Sequence, residues 1–548
     1  MFRIFRTSVR TLNGLTQRRV VIATAIASGS ILWYSTSNRL HNDTPPFSEN
    51  RLRLATTSFA DLVGRDSSLR TIVWGSNRAK LLLPESSSDE LRVPTAAAWL
   101  DNVALRDLAF HNEHAAFVDA SGDVYQWGPK FFGSESPRPR LTLKGKNIKC
   151  IQLTETKVYA LSTWGKVYAL SSVSSNQQPP RTATKSTWLS SLLARDESLD
   201  FVEMVPREKL SWGEQVSSII AGDDHLLAVT SKGRTFAHPV NKRANLCGQL
   251  GLSKVEVQQL RGGKPESVPV NLIPKSFVDP FKEASRIAFE SPAPGERDYF
   301  SNLDDKDIHF CPLLFEIPAL RGIFVDQVAA GSRSSFVRTS TGRVLAWGAN
   351  EHGQLGLGNS ATEETVVVPT EVILWRFMRA NVRTKCVDVT AGGDLTSFVV
   401  ERLEESKTPS VDLLMCGNGQ WGGLGNDTYR NAQNTPVRTK NVSGLLEYNE
   451  QRKRLRPIRP YHISISPSRH VPLTLDSDGI GRDLVAWGKN LDGELGNGKK
   501  ASVGVPKTME GEDGERVMLV SKKTGAVRIE QRPAVGYGNT VIYWRIMP

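Results

Sequence analysis

Apolar residues in this chain gather in short runs, and the runs come in pairs divided by a glycine turn. Ser335–Thr339 meets Thr341-Gly342 and continues as Val344–Trp347. His114–Ala120 turns at Ser121-Gly122 into Val124–Trp127, and Lys157–Thr163 turns at Trp164-Gly165 into Val167–Leu170. His225–Ser231 turns at Lys232-Gly233 into Arg234–Phe236, and Val471–Ser477 turns near Asp478-Gly479 into Leu484–Trp487. Glycine supplies the positive φ of a tight turn, so each pair predicts a β-hairpin and the whole predicts an all-β chain.

Second strands of this kind end near Trp74, Trp127, Ala169, Phe236, Trp347, Cys416 and Trp487. After several of them the chain repeats one phrase: Asn245-Leu-Cys-Gly-Gln-Leu-Gly251, Asn350-Glu-His-Gly-Gln-Leu-Gly356, Asn418-Gly-Gln-Trp-Gly-Gly-Leu-Gly425 and Asn490-Leu-Asp-Gly-Glu-Leu-Gly496. Self-similarity at such a period marks a repeat architecture, which presents surfaces rather than a single reaction centre. Ile72–Gly75 is a second strand with no first strand before it. Thr540–Trp544 is a first strand with nothing after it. Pairing the two removes the exposed edges of an open array. The pattern therefore predicts a seven-bladed β-propeller over 71–548, closed by 540–544 against 72–75.

These residues resemble the regulator-of-chromosome-condensation repeat: Gly-x-x-His, a glycine turn, Trp-Gly, then Asn-x-x-Gly-Gln-Leu-Gly. That resemblance implies the same seven-bladed propeller. The positions carrying it are Trp74, Gly75, Trp127, Gly128, Gly222, His225, Gly248, Gly251, Gly331, Trp347, Gly348, Gly353, Gly356, Gly417, Gly425, Trp487, Gly488, Gly493 and Gly496, all read as structural. Spacing between second strands runs from about 42 to 111 residues, and the excess predicts long inter-blade insertions, about 171–211 and 252–320. Such insertions map to loops on one face.

Residues 1–42 hold six Arg, no Lys and no Asp or Glu. Arg3, Arg6 and Arg10 share one helical face and Phe2, Phe5, Val9 and Leu12 the next. This is the composition of a mitochondrial targeting segment, assigned to 1–19. Residues 20–38 are uncharged between Arg19 and Arg39. As a helix they would span about 28 Å, the thickness of a bilayer core, with Val20, Ile22, Ile26, Ile31 and Leu32 in the lipid and Trp33 and Tyr34 at an interface. Residues 39–70 then form a linker. The arginines before the span put the N-terminus in the matrix and the propeller in the intermembrane space of a single-pass inner-membrane protein. A secretory location is the alternative, raised by the sequons at Asn42, Asn426 and Asn441.

The net charge of +12 is half contributed by the first 42 residues, too little elsewhere to predict nucleic-acid binding. One dense basic segment runs from Arg452 to Arg459. The five cysteines (Cys150, Cys247, Cys311, Cys386, Cys416) form no metal or disulfide spacing, and the glycines are accounted for by turns. No metal, cofactor, catalytic residue or small-molecule substrate is therefore expected. His114, His225 and His470 recur at one repeat position, which predicts hydrogen-bonding roles; Asp223 and Asp224 beside His225 lack a nucleophile fixed near them.

A targeting segment, one span and this propeller are together similar to fungal mitochondrial members of the family. That resemblance implies a non-enzymatic scaffold or assembly factor for respiratory complex III (cytochrome bc1), with complex III subunits or assembly intermediates as protein partners. The alternatives are a guanine-nucleotide exchange factor for a mitochondrial GTPase and a mitochondrial ribosome or RNA factor. Fold alone selects none of them.

Overall fold

Each glycine-turn hairpin forms the middle of a larger antiparallel sheet. Around Trp347 the order is Val325–Ala330, Ser334–Thr339, Val344–Ala349, Thr365–Glu371. The Cys416 sheet runs Val382–Gly392, Leu395–Glu404, Ser410–Gly417, Val437–Arg438. The Trp487 sheet runs Arg459–Ile463, His470–Asp476, Arg482–Gly488, Val503–Thr508. The Trp127 sheet runs Asp107–Phe110, Ala115–Val118, Val124–Trp127, Arg140–Leu143. The computed structural model describes residues 69–547 except 134–137, 178–199, 262–263, 278–288, 291–303, 359–362, 377–380, 406–407, 451–452, 477–480, 511–515 and 526.

The hairpins Lys157–Ser162/Val167–Ser171 and His225–Thr230/Thr235–Pro239 share one eight-stranded sheet. It is joined where Val202–Pro206 pairs in parallel with Leu313–Glu316. The Trp74 sheet takes strands from both ends of the described chain. Ile72–Ser76 pairs antiparallel with Asn539–Ile546, Ile72 opposite Ile542 and Gly75 opposite Asn539. Val527–Val535 and Glu90–Ala96 flank that pair. First strands of successive sheets lie against one another and surround a central channel, so the chain is an all-β propeller.

Middle strands are buried over most of their length. His225–Thr230 has no residue outside the core, and Trp74, Trp127, Trp347 and Trp487 are at most 1 % exposed. A sheet covered on both faces carries continuous apolar runs rather than alternation, which is why these strands stand out in the sequence. First and outer strands do not: Val216–Ala221 is half-buried over most of its length, and Thr365–Glu371 has no buried residue.

Two expectations change. The repeat contributes four strands rather than a hairpin, so the two strands of each hairpin are the second and third of its sheet, and a strand that borders the channel comes first. The insertions at 171–211 and 252–320 are not all loop, because Val202–Pro206 and Leu313–Glu316 are sheet strands and Lys254–Arg261 pairs with Lys264–Leu272. In the basic segment, Arg454–Pro457 is a strand paired with Leu446–Asn449, and Arg459 is ion-paired with Glu401 at 2.5 Å. The turn at Asp478-Gly479, the targeting segment, residues 20–38 and the linker up to 68 lie outside the described residues. Leu69 and Arg70, assigned to the linker, are tied to the fold: the Trp544 indole donates to the Arg70 carbonyl at 3.2 Å. Among the described residues, no helix is long and apolar enough to cross a membrane.

Gly342 turns the Trp347 hairpin at φ +83°, and a Cβ there would press on Lys385 and on the Cys386 backbone of the next sheet. Gly342→Val should cost about 1–3 kcal/mol, read as a lowered melting temperature; an unchanged one would show that this turn tolerates a side chain. Removing Asn539–Met547 strips Ile72–Ser76 of a partner strand. The truncated chain should lose its cooperative melt, and a sharp transition at the original temperature would show the pairing to be dispensable.

Candidate functional site

The repeated phrase builds the seam between one sheet and the next. The carbonyl of Gln249 accepts the Trp347 indole N–H at 2.9 Å and the Ser335 hydroxyl at 2.7 Å, both from the following sheet. Ser335 Oγ also lies 2.9 Å from His225 Nε2. The Glu494 carbonyl repeats this, accepting Trp74 Nε1 at 2.7 Å and Thr540 Oγ1 at 3.2 Å, with His470 Nε2 at 3.1 Å from that hydroxyl. Trp487 donates to the Gly423 carbonyl at 2.8 Å, and the Cys416 thiol to that of Gln354 at 3.3 Å. Within the phrase the asparagine folds the loop: Asn245, Asn350 and Asn490 accept from the backbone N–H of Leu250, Leu355 and Leu495.

The glycines sit where backbone and neighbour meet. Gly251 holds φ +65° with Trp347 Nε1 3.2 Å from where a Cβ would be; Gly356, Gly425 and Gly496 stand equally close to Cys416, Trp487 and Trp74. Gly248, Gly353 and Gly493 abut Val367, Asn434 and Arg92 in the same way. Gly348 follows its tryptophan at φ +107° against the Arg333 carbonyl; Gly75, Gly128, Gly417 and Gly488 occupy that place in their own sheets. Gly222 lies against His225 and the Gly331 carbonyl, and Gly331 against the Gly393 carbonyl.

These seams hold the loops joining first to second strands in a ring at one mouth of the channel. Asp223 N–H donates to the Ser332 carbonyl and Ser332 N–H to that of Gly393, each at 2.9 Å. A cavity of about 360 Å³ opens there, lined by His111, Glu113, Lys130, Glu155, Asp223 and Tyr537 among others. The His111 ring lies 4.9 Å from Tyr537 and from His114. Burial, with Lys130 nearby, lowers His111 to about 4. Burial raises the Asp223 carboxyl, partly offset by Ser332. It also raises the Tyr537 phenol, with the Asp223 carboxylate beside it adding to the shift. Asp224 accepts from Asn241 at 2.6 Å and Arg243 at 3.1 Å. Arg333 pairs with Glu351 at 2.8 Å and Arg469 with Asp394 at 3.2 Å. The rim thus offers preset carboxylates, guanidinium groups and one tyrosine, a pattern suited to binding a polar partner surface.

Within the channel a cavity of about 560 Å³ is bordered by Gln327, Asp388, Arg459, Tyr461, His462 and Arg532 among others. Arg532 Nη2 lies 2.8 Å from His462 Nδ1, and burial with Arg532 beside it keeps that imidazole well below its usual pKa, so it accepts. Arg482 stacks 3.6 Å over the Tyr461 ring and pairs with Glu530 at 3.0 Å. Among the described residues, no group of three His, Cys, Asp or Glu could hold a metal. Burial raises the thiols of Cys150, Cys311 and Cys386 to about 12.

The structure brings Asp223 and Asp224 into the mouth, whereas His225 and His470 lie in the seams. The sequence reading missed His111, Tyr537 and Arg243. It also missed a further copy of the phrase. Asn77 accepts from Leu82 and Leu83 N–H at 3.2 and 3.1 Å; Lys80 holds φ +51° in the glycine slot, and the Leu81 carbonyl receives Trp127 Nε1 at 3.1 Å. The Asn-x-x-x spacing and leucine survive there without glycine or glutamine.

The chain carries regulator-of-chromosome-condensation repeats: residues 341–399 and 325–354 match the Regulator of chromosome condensation (RCC1) repeat. It is 28% identical over 230 residues to "Protein FMP25, mitochondrial" of Saccharomyces cerevisiae, covering 40% of this chain and 36% of that protein. It is 26% identical over 368 residues to "RCC1 domain-containing protein RUG3, mitochondrial" of Arabidopsis thaliana, covering 63% of this chain and 71% of that protein. The match thus spans little more than a third of the yeast relative's length. In fold the chain resembles Prp20p from Saccharomyces cerevisiae, at a TM-score of 0.52 and 16% identity, over 89% of this chain and 94% of that one.

Burial holds His225, His238 and His470 at about 3 and His111 at about 4, below the ordinary 6.5. Unfolded imidazoles bind protons below about pH 6.5 that the folded ones refuse, so this stability is complete above that pH and is lost as pH falls toward 4 for His111 and toward 3 for the other three. At about pH 5 each imidazole should cost about 2 kcal/mol. Calorimetry at neutral and mildly acidic pH should show a steep fall in melting temperature; a flat profile would mean that the folded imidazoles take up protons.

Proposed function

We propose that this chain is a non-enzymatic, protein-binding propeller of the mitochondrial inner membrane, acting as a scaffold in the assembly of respiratory complex III. The supporting observation is the polar mouth: Asp223, Asp224, Arg243 and Tyr537 are fixed by seam-held loops on a rigid ring. A preset rim of that kind binds a partner with little ordering cost. The printed names of the yeast and plant relatives support mitochondrial residence. The complex III role rests on the resemblance to fungal mitochondrial family members.

In this reading the ring has seven blades. Five are the sheets of Trp74, Trp127, Trp347, Cys416 and Trp487; the eight-stranded sheet supplies two more, joined through Val202–Pro206 and Leu313–Glu316. Residues 20–38 form the single span, with the N-terminus in the matrix and the propeller in the intermembrane space.

Protease treatment of mitochondria with ruptured outer membranes should degrade the propeller. Affinity purification from detergent extracts should recover complex III subunits or assembly intermediates. Asp223→Ala combined with Arg243→Ala should lower that recovery at an unchanged melting temperature. A protected propeller recovered with ribosomal proteins would replace this reading with the ribosome-factor one.

A further inference from the structure

The ring has two faces of different character. One carries the repeated phrases and the polar mouth. The opposite face carries the glycine turns between second and third strands, the approaches to the first strands and the ends of the outer strands. Large apolar side chains collect on this turn face. Trp164, 60 % exposed, tops the turn after Lys157–Ser162; Trp212, 97 % exposed, stands just before Val216–Ala221. They are neighbours on the ring, because Gly165 packs on Gln215 and Lys232 of the adjoining turn donates to the Trp212 carbonyl at 3.1 Å. Phe324 lies under the turn glycine Gly233, at the approach to Val325–Ala330, and is exposed.

The hairpin Leu446–Asn449/Arg454–Pro457, just before Arg459–Ile463, adds a projection. Among the described residues it pairs with no other strand, and Tyr448 stands opposite Leu455 with both exposed. Large apolar side chains exposed together on one face mark an interaction site.

Charge and chain path identify the partner. Arg383, Lys385, Lys453 and Arg454 are exposed on the same side and form no ion pair among the described residues. Three carboxylates of this side are already compensated: Glu203 by Lys166, Glu316 by Arg234 and Glu371 by Arg343. The described chain starts here too. Ile72–Ser76 runs from the turn face toward the Asn77 loop, so Leu69 lies at the turn face, and residues 1–68 leave from it. Roughly 30 residues separate Leu69 from Asn38, and a chain of that length reaches at most about 100 Å.

We propose that the turn face docks on the phospholipid bilayer, seating Trp164, Trp212, Phe324 and Tyr448 at the level of the headgroups and setting the basic residues against anionic lipid. Tryptophan and tyrosine favour that interfacial layer, and lysine and arginine favour its anionic headgroups. Tethering makes the contact intramolecular, so it persists even where the free surface would bind weakly. The polar mouth then faces away from the membrane, open to protein partners. This docking rests on the reading of residues 20–38 as a membrane span.

The test uses the full chain reconstituted in liposomes of phosphatidylcholine and phosphatidylglycerol. A polarity-sensitive fluorophore is attached at Trp212→Cys, at Tyr448→Cys, or at Leu491→Cys, an exposed position in a repeat loop of the opposite face. Spin-labelled lipids should quench the first two several-fold more strongly than the third, with blue-shifted emission. Equal, weak quenching at all three in a chain that resists alkaline extraction would overturn the docking and leave the anchor standing. Release of the chain by alkali would overturn the anchor and, with it, the docking that depends on it.

Discussion

In five seams one carbonyl, of Leu81, Gln249, Gln354, Gly423 or Glu494, receives the side chain that fixes the next sheet in place. At Gln249 and Glu494 it takes two hydrogen bonds at once, an indole N–H and a hydroxyl, in a site from which water is excluded. An unmade hydrogen bond in such a place costs about 1–3 kcal/mol, so the junction specifies the relative position of two sheets more sharply than apolar contact does. The sheets need that specification. Their middle strands are apolar on both faces, and neither face has any other cover than its neighbour.

What the sequence discloses follows from this arrangement. The middle strands read clearly because burial on both sides makes them continuous apolar runs, and the repeated phrase reads clearly because geometry at Gly251 and Gly348 excludes a side chain. First strands escape notice because one side borders the channel, as in Val216–Ala221, and the outer strand Thr365–Glu371 is too exposed to need an apolar pattern. Val202–Pro206 and Leu313–Glu316 escape for a further reason: they pair with each other in parallel across more than a hundred residues, a register that no local signal encodes. The copy at Asn77 shows how far the phrase can decay. Lysine replaces glycine at positive φ, yet the asparagine side chain and the acceptor carbonyl still do their work.

The mouth was legible only in fragments. Asp223 and Asp224 drew attention because they adjoin a repeat histidine, but Tyr537 and His111 come from loops more than 400 residues apart and meet only because the ring closes. Their environment, not their identity, gives them character. Burial raises Tyr537 and lowers His111 from ordinary values. Rigid seams and variable rim residues divide the labour: the first are dictated by the fold, the second are free to suit a partner.

The Trp74 sheet has a consequence for biogenesis. Ile72–Ser76 is made more than 460 residues before the strand it needs, Asn539–Ile546. Until then the seam around Trp74 has neither the Glu494 carbonyl nor the Thr540 hydroxyl, and the early strand keeps an open edge. Sequence separation of this size makes pairing slow, and unpaired edges invite association with other chains. The nascent polypeptide therefore passes through an interval in which nearly all its sheets have been synthesised and the ring is still open, and that interval is when a holding chaperone has a substrate to protect.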